Sequence, residues 1–371
     1  MRTTNWNIGA LMQKQVSTKN WLWLLVLSIL GFTGCKYDDL TMAAPNDNIR
    51  MAGNFIQNNY DTQLFYAALK KTGYDKEVNE KGPFTLLVPN DNAFREVGVT
   101  KATDFDKMNL DSLKRIVGYH ILPRRLYVQD IPSNTADMRY ATLEGSELYA
   151  SFAPESVGKL GESDKLYFSG AKASRRDVAV ANGVIHILDK VMKPQFEVSV
   201  QDWLAKRPAY SVFVAGLKKF GLWDELAGKG PVTLFVPSNA VLEKLGITSK
   251  TIAELTVDKY DGDVLFGAYI ISQKHFFISD PVIFAKINSG GGSITYKLRN
   301  NQHLATFGSA EEYPSWILTF GLSIRAGNGP FDGTLAVASS NIQANMDFLC
   351  SNGLIHLTET GLLRSDQAIK K

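Results

Sequence analysis

Apolar positions along the chain follow two rhythms. From Thr62, the residues Leu64, Phe65, Ala68 and Leu69 share one face of a 3.6-residue turn, which predicts a helix. Thr62 is placed to cap its start. Gly73 is placed to end it, because glycine reaches the left-handed conformation without steric cost. Residues 84–88 form a short apolar run between Gly82-Pro83 and Pro89, the pattern of a buried strand. Asn90 offers a capping side chain to a helical turn. Asn109 or Asp111 starts another helix with Leu113, Ile116 and Val117 inward, ending at Gly118. Residues 119–123 then read as a short strand. Beyond Tyr140 the rhythm changes to strands at 140–143, 147–150, 165–168 and 177–180. Asn182-Gly183, both tolerant of positive φ, predicts a hairpin that folds 178–181 onto 184–188. Helices first and a β-meander second is an α+β pattern.

The pattern is then repeated. Phe65, Leu69, Gly73, Gly82-Pro83 and Val88-Pro89 return as Phe213, Leu217, Gly221, Gly230-Pro231 and Val236-Pro237, at a constant offset of 148. Asn182-Gly183-Val184-Ile185-His186 returns as Asn352-Gly353-Leu354-Ile355-His356 at an offset of 170, so about twenty residues are added inside the second copy. A repeat of this length is a whole domain. The linker, 193–197, is short enough to hold the two domains against each other or in a restricted orientation.

The first 34 residues stand outside this pattern. Their charges are Arg2, Lys14 and Lys19, all positive, and the apolar run 21–30 suits a signal peptide better than a membrane span. Phe32-Thr33-Gly34-Cys35 resembles a bacterial lipoprotein processing box, which implies cleavage before Cys35 and acylation of Cys35. At about 0.8 kcal/mol per buried methylene, several acyl chains anchor a protein stably. Lys36-Tyr37-Asp38-Asp39 resembles the signal of surface-exported lipoproteins of Bacteroidetes. The expected organisation is a lipoprotein signal peptide at 1–34, a lipidated cysteine and flexible tether at 35–50, a first domain at 51–194 and a longer second domain at 198–363. Without its signal the chain balances 37 basic against 37 acidic residues, so its charge makes no case for nucleic acid. Cys350, in an apolar run, is expected as a buried, inert thiol.

Three motifs carry a family resemblance. Gly-Pro-Phe-Thr-Leu-Leu-Val-Pro-Asn-Asp-Asn-Ala-Phe at 82–94 resembles the first conserved box of fasciclin-type domains. Asn-Gly-Val-Ile-His-Ile-Leu-Asp-Lys-Val-Met at 182–192 resembles the second, and Tyr119-His120 matches the pair between them. The resemblance covers residues ~50–363. It implies an α+β, β-rich fold: two tandem fasciclin-type β-wedge domains with packed helices. In animal fasciclin-type adhesion proteins the corresponding Tyr-His pair is linked to receptor binding. Tyr119 and His120 are therefore candidate partner-binding residues; the competing reading is that the pair fixes the core beneath the second box. Sequence alignment puts Ile270 opposite His120. The second copy also lacks the Asp-Lys that closes the first copy's second box.

No catalytic or metal spacing is present. The five histidines are scattered, without His-Glu-x-x-His, and no Cys-x-x-Cys or Gly-x-Ser-x-Gly occurs. His186 and His356 recur inside apolar strands, the pattern of a buried histidine bonded to a carbonyl. No cofactor or metal is expected, and no enzyme activity. Trp203, which aligns with Phe55, and Trp223, which stands where the first copy has Asp75, are both expected in the core; Trp316, beside Tyr313 and Pro314, is the candidate exposed aromatic. The expected function is adhesion or protein and matrix interaction by a non-enzymatic lipoprotein. It would be lipid-anchored to the outer membrane, at the cell surface, with envelope or extracellular proteins or glycans as partners. The alternative is a glycan-binding accessory lipoprotein of an outer-membrane nutrient-uptake system.

Overall fold

The two rhythms become helices packed on sheets, twice. The computed structural model describes residues 49–155, 163–288, 291–312, 317–327, 329 and 332–370. Residues 50–371 form one compact unit.

In the first domain, helices Ala52–Gln57 and Gln63–Thr72 precede β1 (Phe84–Pro89), and helices Asp91–Glu96 and Leu110–Tyr119 follow it. The strands after them are β2 (Ile121–Leu122), β3 (Thr135–Ala141), β4 (Glu147–Ala153), β5 (Lys165–Phe168), β6 (Ala171–Val180) and β7 (Gly183–Leu188). They form one seven-stranded sheet in the order β2-β1-β7-β6-β5-β4-β3. β1 and β7, the two conserved boxes, lie parallel at its heart with every residue buried.

Local chemistry explains most ends. Gly73 takes φ 83° at its helix terminus. Asn90 and Asn109 accept from the amides of Ala93 and Ser112 as N-caps. Thr62, expected to cap, does not: its hydroxyl donates to Ile56 O, and Asp91 Oδ1 takes the Leu64 amide instead. The strand expected at 119–123 shrinks to β2, because Tyr119 ends the preceding helix and His120 hydrogen-bonds back to it. The 182–183 hairpin forms one residue earlier than expected. Val180 pairs with Gly183, and neither Asn182 nor Gly183 has positive φ. Gly183 is needed for another reason: a Cβ there would overlap the Phe84 carbonyl oxygen of β1.

The linker belongs to the second domain's sheet. β8 (Lys193–Gln195) leads into helices Val200–Ala205 and Ser211–Lys219, then β9 (Val232–Pro237). β10 (Ile270–Ser272) and helix Asp280–Ile287 follow, then β11 (Ile294–Lys297), β12 (Leu304–Glu312), β13 (Ile317–Arg325) and β14 (Thr334–Ser340). β15 (Phe348–Cys350) and β16 (Gly353–Thr358) close the chain's strands. Here the ladder is divided into a five-stranded sheet, β10-β9-β16-β15-β8, and a four-stranded one, β11-β12-β13-β14. Residues 291–293 lead from the 280–287 helix into β11.

The cores ignore the domain boundary. One cluster lies wholly within the first domain, between its helices and β1 and β7. A second, under β4 and β5, includes Phe277, Leu349 and Leu354 of the second domain. The third, in the second domain, includes Ala153 and Tyr167 of the first.

Candidate interaction surface

The candidate residues fall in three places. Cys35 and Trp316 lie outside the described residues. Tyr119 and His120 are fully buried and present no atom to solvent. The Tyr119 hydroxyl sits 2.8 Å from Ser169 Oγ and donates to Glu147 O. His120 Nδ1 donates to Ile116 O at 2.7 Å, and its Nε2 accepts the Met192 amide at 3.1 Å. That arrangement holds the ring neutral, and burial pushes its pKa down to about 4, against the opposing Ile116 bond. Met192 ends the second box, so the pair fixes the core beneath it.

Strand register changes the counterpart of His120. Leu86 pairs with Ile121 in the first domain, and its equivalent Leu234 pairs with Ile270 in the second. Ile270 therefore matches Ile121, and Tyr269 matches His120. The Tyr269 hydroxyl accepts the Leu362 amide at 2.6 Å, the bond that His120 makes to Met192. Two unlike side chains perform one structural task.

Other features recur unchanged. Asn182 Oδ1 accepts the Ala52 amide, and its Nδ2 donates to Val78 O and Glu80 O. Asn352 does the same for Val200, Leu226 and Gly228. His186 Nε2 donates to Leu126 O while its Nδ1 faces the Asp177 amide; His356 repeats this with Phe276 O and the Asp347 amide. Cys350 is buried, and burial pushes its thiol up to about 12, Arg207 only partly opposing this. Trp203 is buried and Trp223 half-buried against the same core.

The most elaborate polar cluster is where the domains meet. The Lys190 ammonium of the first domain pairs with the Asp347 carboxylate of the second, both buried. Burial opposes ionisation of Asp347, yet Lys190, His356 and the Ile278 amide hold its carboxyl below the usual range. Lys193 Nζ donates to Ala344 O and Met346 O, and burial pushes it down to about 7. β8 pairs in parallel with β15. Tyr149 packs on His275 and Phe277, with ring centroids 5.0 and 5.5 Å apart. Glu311 gathers Lys165, Lys172 and, at 2.6 Å, the Tyr167 hydroxyl. The absence of Asp-Lys from the second copy does not by itself reveal what Lys190 does. The signal was within reach, since the offset of 170 carries Asp177 onto Asp347.

The second domain has a cleft of about 400 Å³ lined by Asp261, Asn300, Gln302, His303, Leu335 and Gln367, among others. Asn300 Oδ1 accepts the amides of Gln302 and His303, which fixes its Nδ2 toward Asp261 Oδ2 and His303 Nδ1. Among the described residues, no group of three or more His, Cys, Asp or Glu is arranged to hold a metal. No described helix is long and apolar enough to cross a membrane.

Comparison with known proteins gives consistent matches. A family model described as the fasciclin domain matches residues 60–194 and 208–363. The chain is 24% identical to Stabilin-2 of Mus musculus over 60% of its length and 8% of that protein. It is 28% identical to transforming growth factor-beta-induced protein ig-h3 of Sus scrofa, over 51% of its length and 25% of that protein. A Synechocystis protein, sll1483, is 27% identical over 34% of this chain and 64% of its own length. The chain thus spans a small part of the animal relatives. A solved FAS1 domain pair from the insect cell adhesion molecule fasciclin I aligns over 82% of this chain and 97% of its own, at 20% identity and a TM-score of 0.36.

Proposed function

The chain belongs to the fasciclin domain family, and from that premise we propose that it is a non-enzymatic adhesion or interaction protein. It is tethered to the outer membrane by acylated Cys35 and acts at the cell surface. The observation that carries this reading is the buried joint between the domains. Lys190 and Asp347 lock two domains into one body, so their outer faces stand in a fixed relation to a partner. Three buried histidines are bound to backbone groups, which leaves them to structure and not to chemistry. Beads coated with residues 50–371 should attach to cells or extracellular matrix, and soluble protein should block them. Attachment no better than albumin-coated beads would end the reading. A clickable fatty acid fed to cells should label the wild-type chain and leave Cys35→Ala unlabelled.

The cleft in the second domain supports a second reading, glycan binding for an uptake system. Amide, carboxylate and imidazole groups beside Leu335 suit sugar hydroxyls and an apolar sugar face. A glycan array should retain the wild-type protein and lose His303→Ala. An array with no bound glycan removes this reading.

A further inference from the structure

The internal repeat shows what one face of the first domain is for, because the second domain displays the same face occupied. The equivalence is set by hydrogen bonds. Tyr127 N and Phe277 N each donate to the aspartate three residues on, Asp130 and Asp280. Val128 N donates to Asp177 Oδ1 at 2.9 Å, as Ile278 N does to Asp347 Oδ1. Asp177 and Asp347 both adopt left-handed backbone, φ 52° and 60°. Ala181 N bonds Arg50 O as Ser351 N bonds Val198 O.

Occupancy separates the two faces. In the second domain Phe277, Ile278, Asp280 and Asp347 are all buried, Phe277 in a core made largely of first-domain residues. First-domain residues cover this face: Tyr149 packs on Phe277, Lys190 meets Asp347, Lys193 meets two carbonyls, and residues 193–195 add a parallel strand to β15. In the first domain Tyr127 and Val128 are half-buried, and Asp130 and Asp177 are exposed. The Asp177 side chain is 40% exposed against 2% for Asp347. Residues 178–180, the counterpart of β15, pair only with β7 among the described residues.

We propose that this face of the first domain, Tyr127, Val128, Asp130, Asp177 and the open edge at 178–180, docks the lysine-bearing end of another fasciclin-type domain. The incoming segment adds as a parallel strand and places its first ammonium on Asp177. Charge and backbone complementarity both come from the occupied copy. A second copy of this chain is not the occupant: its Lys190 is sequestered at its own joint, and Thr360 stands at the equivalent place in its second domain. The inference rests on reading the chain as an interaction protein, but its test does not depend on adhesion.

The test uses the full chain and a fluorescent synthetic peptide with the sequence of residues 186–198. Anisotropy should show saturable binding. Asp177→Asn in the protein should weaken it about tenfold, because a charge-assisted contact is lost while asparagine keeps the left-handed backbone. Lys190→Ala in the peptide should weaken it equally, and combining the two changes should add little. No saturable binding overturns the proposal. So does binding indifferent to Asp177→Asn, which would mean that the peptide exchanges at the Asp347 site. Binding that appears only after residues 1–48 are removed would give the face to the chain's own leader and also overturn it. Bead attachment with no peptide binding would spare the adhesion reading and remove this one.

Discussion

The two domains share their boxes and differ in how β6 is built. In the first domain β6 runs unbroken for ten residues, bending through two register shifts, and carries one ladder from β7 to β5. In the second domain the same stretch is split into β14 and β15 by a 3-10 turn at Gln343–Asn345. The measure of the difference is small. Lys172 bonds Asp189, and Ser339 bonds Glu359, at matching places. Five positions separate Lys172 from Asp177, and eight separate Ser339 from Asp347. Three extra residues turn a continuous strand into a socket whose carbonyls, Ala344 and Met346, receive Lys193. A duplicated domain gained a partner by interrupting a strand, while its conserved centre stayed fixed.

Charge removal at matching positions tests this most severely. Asp347→Asn leaves the Lys190 ammonium buried without a counter-ion, which costs about 3–5 kcal/mol. Asp177→Asn, on an exposed carboxylate, should cost under about 0.5 kcal/mol. Urea unfolding of both variants measures the contrast, and equal losses would break it. The next largest effect concerns what the domains share. Asn182→Ala removes three bonds at a buried site and should cost about 3 kcal/mol. Asn352→Ala makes the same change where water reaches and should cost about 2 kcal/mol. Amide exchange at Ala52 and Val200 should quicken in the respective variants. A smaller loss at Asn182 than at Asn352 would remove the shared-knot account.

Acid should act through the histidines. Burial lowers His120 and His356 from 6.5 to about 4, so the unfolded chain binds their protons first on acidification. Stability from each is complete above about pH 6.5 and is lost as pH falls toward 4. By pH 5 each gives up about 2 kcal/mol. Asp189 works the other way. Burial raises it from 3.8 to about 6, so its share returns as pH falls below 6, about 1.4 kcal/mol by pH 5. These three groups together should lose about 2–3 kcal/mol from neutral pH to pH 5. An NMR titration in which either imidazole protonates near 6.5 in the folded chain would contradict it.

Much of this was legible from residue order, and the illegible part has a physical cause. Periodicity placed the helices at 63–72 and 110–119, and the Asn-Gly echo placed β7 and β16, because these depend on neighbours in the chain. The parallel pairing of β1 with β7 joins segments a hundred residues apart, and only the repeat of both boxes hinted that they meet. Gly183 was read as a turn glycine and serves a backbone contact that no local pattern encodes. Tyr119 and His120 resembled a recognition pair, but a buried polar residue and an exposed one look alike until its partners are known. The His120 counterpart was misplaced by one residue because Tyr269 shares none of its chemistry except an acceptor atom.

That substitution gives the finest test of the comparison. Tyr269→Phe deletes only the oxygen that accepts the Leu362 amide and should cost about 1 kcal/mol. The phenol is neutral across the range, since burial raises its pKa further, so the cost should be the same at pH 7 and pH 5. His120→Phe deletes the matching acceptor for Met192 and should also destabilise at pH 7. It removes, however, a ring that folding must keep neutral. Its penalty relative to the native chain should therefore shrink by about 2 kcal/mol between pH 7 and 5. Urea midpoints for both variants at the two pH values decide the matter. If the two penalties move together with pH, His120 and Tyr269 do not hold equivalent places, and the register that pairs the domains is wrong.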